Sequence, residues 1–178
     1  MRNFYKLVVN GYEKEAGVMY PVGEWPLPIV RDGVEVKDWK VPVAQLRDGK
    51  YSPFDLAPDG SNMVSEELKA LMESFIGDDP NVEFLPVKVL SEEYGDRTYY
   101  IVHFKEVYRH MINKRHSDEN NGTYIRYALD YEKVKGLKMF TARGNDILVC
   151  PALATAIKKQ KLKFGTVICP IRCFKEGE

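Results

Sequence analysis

The amino-acid sequence predicts an α+β fold, with a mostly antiparallel sheet and two short helices in a repeated strand–helix–strand unit. Two segments, 65–76 and 151–162, have the apolar spacing of amphipathic helices. The other apolar runs are short and rich in the β-branched and aromatic residues that strands favour. Each predicted helix is followed by such a run with a proline near its middle, Pro86 in one case and Pro170 in the other.

The length and composition of the chain are those of one ordinary globular domain. It has 178 residues, of which 44% are hydrophobic and 29% charged, and its formal net charge is zero. A general nucleic-acid binder would need a basic surface, so the zero net charge argues against that class. Three cysteines, an odd number, are typical of reduced thiols in the cytoplasm. The first residues are too polar for a signal peptide, and no apolar stretch is long enough to predict a transmembrane helix.

The first third of the chain has many proline, glycine and aspartate residues and no helical periodicity. We therefore expect residues 1–59 to form a region of strands and loops, and residues 60–178 an α+β core, within one compact domain overall. Residues 4–9 predict the first strand. An Asp-Gly pair between two apolar runs within 29–36 predicts a β-hairpin.

The first helix is predicted at 65–76 by signals at both of its ends. Ser65 suits the N-cap, two glutamates follow at the positive end of the helix dipole, and Gly77 with Pro80 ends the helix. Five apolar residues are spaced to form one stripe: Leu68, Leu71, Met72, Phe75 and Ile76. The stripe predicts that this helix packs against the sheet.

Two apolar runs, 82–90 and 98–107, predict a β-hairpin after this helix. Both faces of the second run are apolar, so we expect the hairpin at the centre of a sheet, packed by the helix, with Phe84 in the core. Pro86 has no backbone N–H to donate and is expected at an edge or a bend. Three further strands are predicted at 123–129, 138–142 and 146–150.

The second helix begins at Pro151, which suits the first helical position, and it ends in lysines. Its surroundings are similar to those of the first helix. Four pairs of residues align between the two units: Val64 with Val149, Leu68 with Leu153, Met72 with Ile157, and Pro86 with Pro170. The alignment predicts that one strand–helix–strand unit occurs twice, with the proline at the same bend in each copy.

The short sequence motifs of common enzymes are absent. The chain has no glycine-rich nucleotide loop, no H-E-x-x-H motif and no G-x-S-x-G motif. Cys169 and Cys173 would lie about 13 Å apart along a strand, too far for a disulfide, and no second cysteine pair completes a zinc site. We therefore expect neither metal nor cofactor. Cys150 is expected as a small buried residue and His103 as a hydrogen-bonded core residue.

Two histidines, His110 and His116, flank a basic stretch and keep an enzymatic interpretation open. They would act as acid–base groups with a nearby carboxylate, Asp118 or Glu119, and nucleotides are one class of substrate for such a site. No short motif places a carboxylate beside either histidine. A third interpretation is a structural or regulatory module of a phage or another mobile element.

Several segments together resemble a known family. In chain order they are Trp25-Pro26-Leu27-Pro28, Val64-Ser65-Glu66-Glu67-Leu68, Val82 to Val87, Tyr99-Tyr100, Asn113 to Ser117, Phe140, and Ile147-Leu148-Val149. This series resembles immunity protein family eleven of the bacterial polymorphic-toxin systems. The resemblance covers residues 60–173 well and the first 59 residues poorly, and V-E-F-L-P-V is its most specific part. Asn113 stands where an aspartate is expected from the family.

The resemblance implies a small α+β protein, encoded beside a toxin, that binds and neutralises this toxin in the cytoplasm of the producing cell. The protein would be a non-enzymatic binder, with the toxin as its partner and with neither nucleic acid nor membrane as a ligand. Binding is sufficient for inhibition, because buried anchors and complementary charges can cap an active site.

Binding residues tend to collect in loops on a rigid scaffold, and two predicted loops, 92–97 and 115–122, flank the second strand of the hairpin. We expect the partner-binding residues among their polar and aromatic side chains: Glu92, Glu93, Tyr94, Asp96, Arg115, Asp118 and Glu119. The aromatic N-terminal region around Trp25, Trp39 and Tyr51 is the alternative surface.

Overall fold

The structure, a computed structural model, describes residues 3–9, 19–23, 30–47, 53–57, 61–121, 123–160 and 166–178. These residues form eleven strands in two mixed sheets, together with three short helices, so the fold is α+β. The strands are β1 (Asn3–Val9), β2 (Met19–Val22), β3 (Val43–Leu46), β4 (Met63–Ser65), β5 (Val82–Leu90), β6 (Arg97–Phe104), β7 (Ile112–Asn120), β8 (Thr123–Asp130), β9 (Met139–Phe140), β10 (Ile147–Val149) and β11 (Thr166–Phe174). The helices are α1 (Glu66–Ile76), α2 (Tyr131–Val134) and α3 (Pro151–Lys159), and a 3-10 turn spans Arg109–Met111.

The two sheets follow the same pairing pattern. The five-stranded sheet has the order β2-β3-β5-β6-β4, and the six-stranded sheet has the order β7-β8-β11-β1-β10-β9. In the first sheet β3 and β5 are parallel, and in the second β8 and β11 are parallel. The other pairs between described strands are antiparallel. Each sheet is therefore mixed, and its one parallel pair consists of the second and third strands counted from one edge.

Helix α1 forms where the sequence predicts it. The Ser65 hydroxyl accepts a hydrogen bond from the backbone N–H of Leu68 at 3.2 Å, and Gly77 ends the helix with a φ of 59°. Leu68 and Met72 are fully buried, and the other three residues of the stripe pack partly buried against the same core. That core contains Val102 and Phe104 of β6, in the five-stranded sheet, together with residues of α3 and of the six-stranded sheet. The helix therefore lies against the five-stranded sheet, as expected from its stripe.

The predicted hairpin is formed by β5 and β6, with β5 in the middle of its sheet. Both faces of the hairpin are buried, because successive side chains alternate between two hydrophobic clusters. The cluster beside α1 contains Val82, Phe84, Tyr100, Val102 and Phe104. The opposite cluster contains Leu85, Val87, Val89, Tyr99 and Ile101, and it is covered by the N-terminal region through Val36, Trp39 and Phe54.

Phe84 contributes less to the core than the sequence suggests. Its side chain is only partly buried, and Lys69 Nζ lies 5.3 Å from the centre of its ring. Phe104, on the same face of the sheet, is fully buried. The reason is its neighbour, because a lysine of α1, and not an apolar side chain, lies over its ring.

β5 is a central strand, but at Pro86 it has a strand partner on one side only, namely β6. Neighbouring β3 pairs with β5 only over Lys88–Leu90, so it does not reach the proline. On that open side, the indole N–H of Trp39 donates to the Pro86 carbonyl at 3.0 Å. Pro170 has the same position in β11, because its parallel neighbour β8 pairs only at Cys173 and Phe174. Proline has no backbone N–H, and at both positions no neighbouring strand is placed to accept a hydrogen bond from one.

The chain segments before residue 60 contribute to both sheets. β1 lies between β10 and β11 of the six-stranded sheet, with Tyr5 opposite Val149 on one side and Pro170 on the other. β2 and β3 form one edge of the five-stranded sheet. Strand pairing therefore crosses the expected boundary between residues 59 and 60 in both sheets.

The hairpin predicted within 29–36 is wrong. Residues 30–36 form a turn without flanking strands, and Gly33 supplies its positive φ of 82°. Val34 N donates to the Arg31 carbonyl at 3.2 Å and closes the turn locally. The two central residues bond to the end of β6: Gly33 N donates to the Phe104 carbonyl at 2.8 Å, and Phe104 N donates to Asp32 Oδ1 at 2.9 Å. A tertiary contact over some seventy residues has replaced the local pairing.

The three cysteines are free, and Cys150 is buried as expected. Burial raises the pKa of the Cys173 thiol, which makes the thiolate less available. Helix α3 starts at Pro151 as predicted, and the predicted residues 161 and 162 lie outside the described part of the chain. In the described segments, no helix combines the length and the apolar character that crossing a membrane requires.

Candidate functional site

Four of the predicted partner-binding residues come together at the end of the β5–β6 hairpin. Glu92, Glu93 and Tyr94 lie in the turn after β5, and Asp96 immediately precedes β6; we call these four residues the tip. All four side chains are exposed. Asp96 lies 3.2 Å from Lys88 Nζ, and both of these side chains are about half exposed, so this ion pair contributes little stability.

A cleft of about 610 Å³ opens beside the tip, within the size range of ligand pockets. Asp96 and Arg97 form one wall, and the first turn of α1 forms another with Glu66 and Glu67. The described part of the wall carries four carboxylates, the fourth being Asp55, against one guanidinium. We call this the acidic cleft. It would attract a cationic group, because charges of one sign in a concave surface reinforce each other's field.

The floor of the acidic cleft is fixed by packing and hydrogen bonds. The rings of Phe54 and Tyr99 are stacked, with 4.5 Å between their centres, and burial raises the pKa of the Tyr99 hydroxyl. Ser65 Oγ donates to Asp55 Oδ1 at 2.7 Å, and Ser65 N donates to the Asp55 carbonyl at 2.9 Å. The segment carrying Asp55 is therefore held against the N-terminus of α1, which gives the cleft a rigid shape.

The other three predicted residues lie on the six-stranded sheet, on strand β7 and not on a loop. Arg115 is exposed within a bulge, because β7 advances five residues from Asn113 to Asp118 while its partner β8 advances two. Asp118 lies opposite Arg126, and Glu119 lies opposite Tyr124. The seven predicted residues thus occupy two elements of different sheets, and the tip is the compact group.

The segment from Asn113 to Ser117, which is part of the family resemblance, lies in this bulge and is held by hydrogen bonds to Asn113. His116 N donates to Asn113 Oδ1 at 3.3 Å, and Ser117 Oγ donates to the Asn113 carbonyl at 2.6 Å. Asn113 Nδ2 also donates to Asp130 Oδ1 at 3.3 Å. An aspartate at position 113 would place a second carboxylate against Asp130, so the amide suits this chain. Asn113 therefore shapes the bulge, as a capping residue would.

The two histidines of the enzymatic interpretation have structural contacts. His116 stacks on Phe174, with 3.8 Å between ring centres, and its Nε2 lies 2.8 Å from the Glu178 carbonyl. The His110 ring contacts the edge of Tyr108, at 5.9 Å between centres. Within the described residues no group of three histidine, cysteine, aspartate or glutamate side chains could hold a metal ion.

His103 is a hydrogen-bonded core residue, as the sequence predicts. It is fully buried, its Nε2 donates to the Arg31 carbonyl at 3.2 Å, and its Nδ1 lies 3.0 Å from Glu83 Oε2. Burial acts to raise the pKa of Glu83, but hydrogen bonds from Lys105 and His103 outweigh it and hold the pKa below its usual value. The hydrogen bonds of His103 thus join β6 to the turn at Asp32. His103 itself is shielded from solvent, whereas Glu83 is partly exposed.

Comparison of the chain with models of protein families, with curated proteins and with solved structures gave no match.

Sequence reasoning missed most of the acidic cleft. In the sequence, Glu66 and Glu67 indicate only the start of a helix, and Asp55 lies in a segment without helical or strand periodicity. Their proximity to Asp96 depends on how β4 and α1 pack beside β6, which no local signal encodes. Of the alternative aromatic surface, Trp39 packs in the second core cluster, while Trp25 and Tyr51 lie outside the described residues.

Proposed function

We propose that this chain is a non-enzymatic immunity protein, which binds a toxin of the same bacterium in the cytoplasm and blocks its action. The family resemblance of residues 60–173 supplies the class of partner. The observation that carries the proposal on the structural side is the tip, an exposed group of charged and aromatic side chains on a hairpin buried on both faces. Such a hairpin holds its end rigidly, and rigid presentation lowers the entropic cost of binding.

The charge of the tip indicates what it meets on the toxin. Glu92, Glu93 and Asp96 are acidic, and Asp96 also lines the acidic cleft. A basic segment of the toxin is the complementary surface, because opposite charges speed the encounter and fix its orientation. Tyr94, which is 37% exposed, is suited to act as an apolar anchor within this charged rim.

The decisive experiment is co-expression with the product of the neighbouring gene. We expect the two proteins to co-purify, and we expect the host to die when this chain is omitted. Reversing the tip charges together, as Glu92→Lys, Glu93→Lys and Asp96→Lys, should leave the fold intact and weaken toxin binding at least tenfold. Association should also become less sensitive to salt, because rim charges act mainly on the rate of encounter.

The control reverses two exposed acidic residues elsewhere, Glu35→Lys and Glu176→Lys, and it is compared with a tip variant that also reverses two, Glu92→Lys and Glu93→Lys. This control should bind and protect like the parent. A tip variant that also binds and protects like the parent would place the interface elsewhere, and a pair that never co-purifies would remove the immunity function itself.

We further propose that the two sheets are built on two copies of one strand–helix–strand unit. The supporting observation is the register around the two prolines. Val64 and Pro86 flank Tyr100 of β6, and Val149 and Pro170 flank Tyr5 of β1 in the same way. The second unit takes its central strand from the beginning of the chain. The tip follows the first unit directly, and Ser65, Glu66 and Glu67 of this unit line the acidic cleft.

A further inference from the structure

A second, smaller cleft lies between the loop after β6 and the loop before β10. It encloses about 250 Å³ and is lined by Arg109, Arg143, Thr123 and Tyr124, with Ile112 and Ala142 on its apolar side. We call it the arginine cleft. The described lining contains two cationic side chains and two hydroxyls, and it contains no carboxylate. Its charge is therefore opposite to that of the acidic cleft.

The two arginines are placed by loops that are bonded to each other. Tyr108 N donates to the Thr141 carbonyl at 2.9 Å, which joins the 3-10 turn of Arg109 to the segment that carries Arg143. Gly144 N donates to Thr141 Oγ1 at 3.0 Å, and the positive φ of Gly144, 85°, closes this turn directly after Arg143. The backbone of both arginines is thus fixed at the cleft.

Asp146, a buried carboxylate three residues after Arg143 in the sequence, is occupied by other partners. Asp146 is 2% exposed; it accepts from Lys6 Nζ at 2.7 Å and from the Tyr127 hydroxyl at 2.6 Å. The Arg143 guanidinium carbon lies 5.7 Å from the centre of the Tyr127 ring. Among the described residues, no carboxylate oxygen lies within 4.0 Å of the guanidinium of Arg109 or Arg143.

We propose that the arginine cleft binds a phosphate group. Its volume is below the roughly 300–1,000 Å³ of sites for drug-sized ligands, so it suits one small group. A carboxylate presents two oxygens and one charge, which a single guanidinium can match. A phosphate presents three strong acceptor oxygens and close to two charges, which matches two guanidinium forks and two hydroxyls. The proposal is independent of toxin binding, because none of these residues belongs to the tip.

Calorimetric titration of the full chain in a phosphate-free, low-salt buffer tests this site. The probes are inorganic phosphate, phenyl phosphate and acetate. We expect saturable binding of a phosphate at one site per chain, and weaker binding of acetate. Tighter binding of inorganic phosphate would identify the free anion as the ligand, whereas tighter binding of phenyl phosphate would identify a phosphate ester.

The variants test whether the two arginines form the site. Arg109→Gln and Arg143→Lys should each weaken phosphate binding roughly tenfold or more, since each removes charge-assisted hydrogen bonds. Arg143→Lys keeps a cation near Tyr127, so the fold should persist, and Arg109 is already exposed. Arg172→Gln removes an exposed guanidinium elsewhere and should leave binding unchanged.

Three results would overturn the proposal. They are the absence of saturable phosphate binding in the millimolar range, acetate binding as tight as phosphate binding, and an equal loss of affinity in Arg172→Gln. The last result would mean that net charge alone attracts the anion.

Discussion

Asp32 fastens the N-terminal region to the end of β6 by accepting from Phe104 N, and it does so in a poorly solvated position. Burial raises the pKa of Asp32, and the hydrogen bond from Phe104 and the charge of His103 only partly offset this, while the carboxylate of Asp146 adds to it. The folded chain therefore holds this proton more tightly than the unfolded chain does. It follows that the contribution of Asp32 to stability falls as the pH rises through its raised pKa.

Replacement of Asp32 by asparagine should therefore stabilise the protein at neutral pH. The amide oxygen can still accept from Phe104 N, and the poorly solvated charge is gone. We expect a melting temperature higher than that of the parent by about 2–4 °C for each kcal/mol gained. The difference should shrink as the pH falls toward the usual aspartate value of 3.8, where the parent residue is also protonated. Thermal unfolding followed across this pH range measures it, and a lower melting temperature at neutral pH would contradict the argument.

Elements with local signals were predictable from the sequence, and elements that depend on distant partners were not. Ser65, the apolar stripe and Gly77 specify α1 within thirteen residues, and the structure confirms its bounds. The Asp-Gly pair at 32–33 also makes a turn, but this turn is bonded to Phe104 of β6, and its flanks form no strands with each other. The bulge after Asn113 escaped prediction because Ala128, on the facing strand, helps to fix it through Ser117. The candidate clefts are assembled entirely from such distant contacts.

The β5–β6 hairpin offers a comparison of two phenylalanines on one face. Phe104 is fully buried beside α1, so Phe104→Ala should cost about 3–5 kcal/mol of unfolding free energy. Phe84 is only partly buried under Lys69, so Phe84→Ala should cost roughly 1–2 kcal/mol. Equilibrium unfolding in urea measures both values. Equal losses would show that the hairpin is not packed as described.

The whole molecule is held together by strands that are far apart in the sequence. β1 has strand neighbours on both sides in the six-stranded sheet, and β3 pairs with β5 in the other sheet. Lys6 of β1 also reaches the buried Asp146, which Tyr127 of β8 contacts from the other side. The described segments before residue 60 therefore contribute to both cores, although the composition of this region predicts many loops.

Residues 60–178 expressed alone should fail to fold into a stable unit. Without β1, the edges of β10 and β11 lose their partner, and the carboxylate of Asp146 loses its cation. We expect the fragment to lack the cooperative thermal transition of the full chain, as followed by circular dichroism. A fragment with a cooperative transition within a few degrees of the full chain would show that this region folds without the N-terminal strands.

The position of β1 also governs when the protein can fold as it is synthesised. Val9 pairs with Thr166, so β1 leaves the ribosome roughly 8–30 seconds before β11 at 5–20 residues per second. For most of this interval, until β10 at Ile147–Val149 has also been made, the apolar strand N-F-Y-K-L-V-V has no strand partner within its own chain. Its one charged residue, Lys6, would discourage pairing between nascent chains, as charges in exposed strands do. The lysine that later meets Asp146 would thus first protect the unfinished polypeptide from aggregation.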